Sequence, residues 1–585
     1  MKVREKLLAG ICILSLSASL PSCAVFNESK TTELSVFYAS VSAPGESSII
    51  NDDNEIKALI EQKTGVKLEE SWLDYNERPS MDVALQEMID SDTLTDFIYA
   101  GDGFYTLYDA GKLIAWDEYL DKYPNIKALY TDAEWDLFRR DDGKIYSAGY
   151  LTNYNVKDTS TDFNGFAFWI QARVLEAYDY PEIKTLDEYF DILGRYSQDY
   201  PTMPDGSDVI PFTCYIENSW YSRWDFAPVL LDGYPVDCCI VNVDDGPLKP
   251  QVIDCNTTPT AEAYFRKLNE IYNNGLMDPD FATMTYDEYT AKLSTGCVLG
   301  IADQGWDFSN CLNDSFSEEC QSTDGTTYHL DELGCEYVPL GLTIESGMEQ
   351  RYFNNSRSYM IDGITVTTSC KDPDKAFAYL NDLLSLEIQE LRFWGIEGVD
   401  YLVDEENGLF YRTEEMRANW SDPEYLSSHV CQYLYMPHSG GISRDGVNCI
   451  FPQEQPSEFL ATLSEPLQNC FNAYGANNFV DFLDSELVYN YPWYMISTMH
   501  STSSPFSDSE VVFDSWVNLN TVKETWLPTV VTSSDFDAAW SQYMEEYEAA
   551  EPSIYYDFVQ TEVVGAAVAD AVDRGWDGES YMPTI

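Results

Sequence analysis

The chain has 585 residues, with 100 Asp and Glu against 33 Lys and Arg and a formal net charge of −67. Such a charge repels nucleic acid and anionic headgroups, which excludes nucleic-acid binding and attachment to a membrane through a basic patch. With 44% hydrophobic and 14% aromatic residues the chain can bury large cores and keep aromatic side chains in reserve, so it is globular.

Lys2, Arg4 and Lys6 lead into an apolar run over residues 7–20, which ends in Leu20-Pro21-Ser22-Cys23. A basic start, an apolar core too short for a lasting anchor and a small residue before the break have the form of a secretory signal. A Cys at that place resembles a bacterial lipobox, in which the thiol is acylated and becomes the mature N-terminus. The expectation is a signal peptide over 1–22, then a lipidated Cys23 and linker over 23–32, and an exported monomer held at the extracellular face of the cell membrane by lipid. An ordinary signal with a chance Cys is the alternative. No later stretch approaches the roughly 18 uninterrupted apolar residues of a spanning helix.

The mature part opens as a βαβ unit. Residues 34–39 form a short apolar strand, a helix with Ile56, Leu59 and Ile60 on one face follows, Gly65 closes it, and 66–72 is the next strand. A helix carrying Val83, Leu85, Met88 and Ile89 leads to a third strand at 96–100. Alternation of strands and helices predicts a parallel sheet covered on both faces, with ligands beyond the carboxyl ends of the strands. That places Ala39-Ser40 and Gly101-Asp102-Gly103 at a candidate binding edge. Thr185-Leu186-Asp187-Glu188 is a capping box opening a helix, Thr258-Pro259 and Asp372-Pro373 open two more, and Ser534 is expected to cap a late helix bearing Trp540, Tyr543, Met544 and Tyr547. Their apolar stripes read as core.

Of fourteen cysteines, none lies between Cys23 and Cys214, so the first part of the fold must stand without disulfides. The later ones could pair in an oxidising compartment, with connectivity left open. With no C-x-x-C and only four His, no structural metal is expected.

Several segments in order resemble the family 1 extracellular solute-binding proteins of bacterial ABC importers. They are Glu61-Gln62-Lys63-Thr64-Gly65-Val66-Lys67, Ser91-Asp92-Thr93-Leu94-Thr95-Asp96-Phe97-Ile98, Asp142-Gly143-Lys144-Ile145-Tyr146, residues 264–281 (YFRKLNEIYNNGLMDPDF), residues 294–306 (STGCVLGIADQGW), and Gly395-Ile396-Glu397-Gly398-Val399-Asp400-Tyr401. The resemblance implies an α/β, periplasmic-binding-protein-like fold of two discontinuous lobes, residues 33–155 with 342–388 and residues 156–341 with 389–585, joined by a hinge and closing on a ligand. It further implies a protein that captures an oligosaccharide and delivers it to the permease subunits of an ABC transporter. Relatives with a calcium loop carry a longer acidic stretch than residues 203–208 (MPDGSD), which lack alternating oxygen ligands, so neither calcium nor another cofactor is predicted.

An oligosaccharide offers flat C–H faces and a rim of hydroxyls, which call for aromatic platforms beside Asp, Asn and Arg. The candidates outside helical stripes are Asp102 and Tyr105 after the third strand, Trp169 after the hinge crossing, Trp220, Arg223 and Trp224 in one polar cluster, Trp306 after Gln304-Gly305, and Arg357 in Asn354-Asn355-Ser356-Arg357. A secreted glycoside hydrolase is the competing class, since two carboxylates 5 to 9 Å apart would suffice for it. Hydrolase, metalloprotease and nucleotide-binding motifs are absent, and no enzyme is expected. Peptide remains an alternative ligand, because one fold hosts many.

Overall fold

In the computed structural model, the described residues are 31–40, 50–51, 53–73, 80–130, 132–140, 142–148, 161–216, 224–234, 240–242, 245–312, 315–353, 363–483, 486–488, 509–573 and 576–578. Cys23, Trp220, Arg223, Arg357 and the crossing near residue 155 lie outside them.

The βαβ opening forms because each of its boundaries has a local cause. Buried Asn54 accepts from the Lys57 amide at 2.9 Å and starts the helix Glu55–Thr64, and Gly65, at φ 65°, ends it where a side chain would be strained. Ile56 and Ile60 face the sheet, and the strands Thr32–Tyr38 and Val66–Trp72 pair in parallel from Thr32↔Val66 to Tyr38↔Trp72. The next helix, Met81–Ser91, buries Ala84, Leu85 and Met88, while Val83 is exposed, contrary to the face expected for it. Leu85 and Met88 stay inside and Ile89 is half-buried against the same core, so the expected stripe holds apart from Val83.

This first sheet has the order Val66–Trp72, Thr32–Tyr38, Phe97–Tyr99, Ile364–Val366, Ser147–Ala148. The first three strands run parallel, but Ile364–Val366 returns antiparallel to both its neighbours, so the sheet is mixed where a parallel one was expected. The cause is connectivity: that strand re-enters from the second lobe without a local crossover helix to set its direction. Its core joins Val36, Phe97, Ile364 and Leu380 to Phe377, which stacks on Tyr119 with centroids 3.9 Å apart. Each such side chain contributes roughly 1.5–3 kcal/mol on burial.

The second sheet runs Tyr337–Leu340, Phe166–Gln171, Val298–Gln304, Ile210–Thr213. Phe166–Gln171 is antiparallel to both neighbours, and Ile210–Thr213 is parallel to Val298–Gln304. The helices Leu186–Asp199 and Pro259–Asn273 cover it, the first opened by the expected Thr185–Glu188 capping box. The late helix, Phe536–Ala549, is capped by Asp535 and not by Ser534, because the Asp535 carboxylate accepts from the Ala538 amide at 3.2 Å.

Residues after 388 do not all join the second lobe. Cys431, Tyr433 and Met436 belong to the first core, fastened by fully buried Arg392, which donates to the carbonyls of Gln432, Tyr433 and Pro437, each at 2.8 Å. Phe451 still packs on Phe393 at 4.7 Å, whereas Phe459 packs on Phe471 in the second core. Packing on the first core thus continues past residue 388 to Met436, and packing on the second is in place at Phe459. Between these two, Thr161 Oγ1 donates to the Gln453 carbonyl at 2.8 Å.

Among the described residues no disulfide is formed, and most of the cysteines are buried. Burial pushes the Cys335 thiol up to about 11 and the Cys470 thiol up to about 12, which keeps both protonated. Among the described residues no helix is long and apolar enough to cross a membrane, and no cluster of His, Cys, Asp or Glu could hold a metal ion.

Candidate ligand-binding site

The strand Val298–Gln304 ends at Gly305, where the helix Gly305–Leu312 begins. A Cβ at Gly305 would lie 2.1 Å from the Phe163 carbonyl oxygen and 3.0 Å from Trp169 Cζ2, so only glycine lets the two chain segments meet here. The junction opens onto a cavity of about 460 Å³. Phe163, Trp169, Trp306, Phe308, Tyr337 and Phe479 supply its aromatic walls, and Asp162, Asp331 and Glu336 its carboxylates.

The two tryptophans of this cavity differ in exposure. Trp169 is buried, donates its indole N–H to the Asp303 carbonyl at 2.9 Å, and meets the edge of Phe308 with centroids 5.0 Å apart. Its own carbonyl accepts from Tyr189 Oη at 2.8 Å, so the ring is a fixed wall. Trp306 is 37% exposed, and its indole N–H donates to Gln304 Oε1 at 3.1 Å. An aromatic face left open beside a fixed one is what a flat apolar ligand surface needs. Beneath them, Asp303 accepts from Tyr289 Oη at 2.6 Å, and Tyr286 Oη donates to Asp307 Oδ1 at 2.7 Å, so the strand end cannot shift freely.

Two of these carboxylates have their pKa pushed up by burial. Burial raises Asp162, and it raises Glu336 against the lowering effect of the hydrogen bond that Ser464 Oγ donates to it.

The first lobe presents a second surface at the carboxyl ends of its parallel strands. Gly101, at φ 53°, sits so close to Ser40 that a Cβ would come within 2.3 Å of the serine Cβ, which brings the two predicted edge segments together. Asp102 is in the short turn Gly101–Gly103. Tyr105 is 55% exposed, and its hydroxyl accepts from Arg140 Nη1 at 3.2 Å, while the guanidinium lies 4.2 Å over the Phe104 ring.

Of the eight predicted ligand residues, the structure thus brings Trp169 and Trp306 into one cavity and sets Asp102 and Tyr105 at the other lobe's edge. Trp224 is not available as a platform. It is buried, meets the faces of Phe265 and Phe281 at 5.3 and 6.4 Å, and accepts from Tyr264 Oη through its carbonyl. The aromatic partners that bury it come from distant sequence, so its polar neighbours gave no warning.

Sequence reasoning missed the cavity carboxylates, whose positions depend on loop packing. It also missed Trp72 and Tyr435, both half-buried, which with Tyr38 and Tyr99 form an aromatic cluster at the strand ends: Tyr38 lies 5.3 Å from Trp72 and 5.5 Å from Tyr435. Trp72 was discoverable, because it ends a parallel strand on the edge where ligands of such sheets bind. In the loop over residues 203–208, the Asp205 carboxylate accepts from the Ser207 amide at 2.8 Å and from Ser207 Oγ at 2.6 Å.

No protein-family model matches this sequence, and no curated protein sequence matches it. Solved structures do. An ABC-transporter substrate-binding protein of S. pneumoniae, FusA in complex with kestose, superposes with a TM-score of 0.56 at 16% identity, covering 92% of this chain and 100% of its own. A solute-binding protein from Bifidobacterium longum infantis, described as HMO-binding and ABC-transporter-associated, gives 0.55 at 16% identity over 91% of this chain and 98% of its own. An extracellular solute-binding protein from Bifidobacterium longum subsp. infantis gives 0.55 at 14% identity over 92% and 99%. The chain has the two-lobed α/β fold of the solute-binding proteins of ABC transporters.

Proposed function

We propose that this protein is an exported, lipid-anchored solute-binding protein that captures an oligosaccharide and passes it to an ABC-transporter permease. The observation that carries the reading is the cavity at Gly305, where fixed Trp169 and open Trp306 stand within a fold shared with sugar-binding importers. Lobes joined by three connections provide two states, and a ligand that prefers the closed one shifts their balance. Stacking of a sugar face on indole supplies affinity without strict hydrogen-bond register, and polar groups choose among stereoisomers. Asp102 and Tyr105, with Arg223, Trp220 and Arg357, are proposed to complete the site. Cys23 is proposed as the lipid attachment.

The test is titration calorimetry with oligosaccharides chosen on a glycan array, followed by chromatography of the ligand. Micromolar or tighter binding with the sugar recovered intact, and a smaller radius of gyration by small-angle scattering, supports the reading. Recovery of shortened sugar would make the protein a hydrolase, and binding of peptides alone would replace the ligand class.

A further inference from the structure

Ser464 joins two walls of the cavity, and what it holds bears on how a glycan is chosen there, granted the reading above. It caps the helix Glu465–Tyr474, its Oγ accepting from the Leu467 amide at 3.4 Å, and Leu467 lines the cavity. The proton of the same hydroxyl goes to Oε2 of Glu336, 128 positions earlier in the chain and likewise part of the lining. Glu336 is fixed at its backbone too, since its carbonyl accepts from the Ala172 amide at 2.8 Å just before the strand Tyr337–Leu340. Main chain and one carboxylate oxygen are thus both tied down. Among the described residues no other group hydrogen-bonds this carboxylate, so Oε1 keeps its full capacity to accept. A half-buried acceptor of that kind gains from a hydroxyl that enters with a ligand, because a bond to an ionised oxygen is about twice as strong as a neutral one.

We propose that Glu336 selects the glycan by accepting from one ring hydroxyl of a sugar held at the aromatic walls, and that Ser464 is its positioning residue. Trp169 and Trp306 meet the apolar face of a sugar with little regard to which hydroxyls it carries, so stacking alone discriminates weakly. An acceptor held at a fixed place does discriminate. Its partner is a free hydroxyl, and a sugar with hydrogen at that position leaves the carboxylate oxygen unpaired. The loss expected on removing the hydroxyl is roughly 10- to 150-fold in affinity. The cavity of about 460 Å³ admits a short run of rings, so the effect should fall on particular ring positions and not on all.

The experiment takes the tightest glycan found on an array and its monodeoxy analogues, each with one ring hydroxyl replaced by hydrogen, and titrates them by calorimetry. At least one analogue should bind wild type about tenfold more weakly than the parent, or worse. Glu336→Gln should narrow that parent-to-analogue ratio about fivefold or more, because the Ser464 proton draws the amide oxygen and leaves a donor where the ligand met an acceptor. Glu336→Ala reads the same bond, and thermal melts identify any variant that fails to fold, so the other then decides. Ser464→Ala should narrow the ratio about threefold or more, and Ser464→Thr, which keeps a hydroxyl at the cap, should restore it. A merely structural serine would alter the melting temperature and the overall affinity but not the ratio. If no analogue loses affinity in wild type, or no ratio narrows in a folded Glu336 variant, the proposal is overturned while oligosaccharide capture stands. A Thr variant no better than the Ala variant, or a ratio unmoved in both, overturns the role of Ser464. Binding of no glycan at all overturns the reading of the protein as well.

Discussion

The carbonyl oxygen of Phe163 occupies the position a side chain at Gly305 would need, 2.1 Å from where a Cβ would stand. This contact locks the entry of one strand against the exit of another and sets the separation of Trp169 from Trp306. Gly305→Ala must push the backbone apart, at a cost of about 1–3 kcal/mol. We expect a lower melting temperature together with at least a tenfold loss of oligosaccharide affinity. Wild-type behaviour in both assays would show that the junction does not shape the cavity.

Trp306 and Trp224 should respond in opposite ways to truncation. Trp306→Ala removes an open platform and should weaken binding by roughly 2–4 kcal/mol, by analogy with interface hot spots, with little change in the unliganded melt. Trp224→Ala opens a hole between Phe265 and Phe281 and should cost about 3–5 kcal/mol of stability. Calorimetric titration beside thermal melts separates the two, and unchanged affinity in Trp306→Ala would return that ring to a structural role.

His429 bridges two acids, with Nδ1 3.0 Å from Glu55 Oε2 and Nε2 2.9 Å from Asp400 Oδ2. The Asp400 hydrogen bond raises the His429 pKa above its ordinary value, more than desolvation lowers it. A raised folded pKa means a contribution present below the unfolded value near 6.5 and lost as pH rises through the folded one. For Asp400 desolvation raises the pKa, but hydrogen bonds from His429, Tyr425, the Ile396 amide and Trp420 outweigh it and lower it, so its contribution is present above pH ~4 and lost on acidification. The pair therefore stabilises most between about pH 4 and 6.5. Melting curves of wild type and His429→Ala should differ most there, by roughly 1–3 kcal/mol, and the difference should shrink as pH rises through the raised folded pKa of His429. A constant difference across that range would sink the assignment.

Lys523 forms the buried ion pair of the C-terminal helices, its Nζ 2.7 Å from Asp254 Oδ2, which also accepts from Tyr547 Oη at 2.8 Å and Tyr556 Oη at 2.5 Å. Lys523→Met strands a buried carboxylate and should cost roughly 3–5 kcal/mol, whereas exchanging both partners for apolar residues should recover much of it. Chemical denaturation of the single and double variants checks this, and a mild single variant would show that water reaches the site.

Cys23→Ala should move the protein from the membrane fraction to the medium, as expected for a lipid-bearing thiol behind a signal of that form. Fractionation followed by immunoblotting reads the result directly, and a variant that stays with the membrane removes the lipid anchor from the account.

The sequence by itself determined the elements whose causes are local. Gly65 ends a helix, Thr185 with Glu188 caps another, and the order of apolar runs makes the first three strands parallel. Capping, glycine at positive φ and residue periodicity act within a few positions, so they are legible without the fold. Only the tertiary structure decided the rest. It reversed Ile364–Val366, gave residues 431–436 to the first core through Arg392, and buried Trp224 while leaving Trp306 open. It also gathered Asp162, Asp331 and Glu336 around one cavity, although Asp331 stands 169 positions after Asp162 in the chain. Burial and charge proximity depend on which distant segments meet, and Trp224 and Trp306, both in polar sequence, become buried core or exposed ring according to what packs on them.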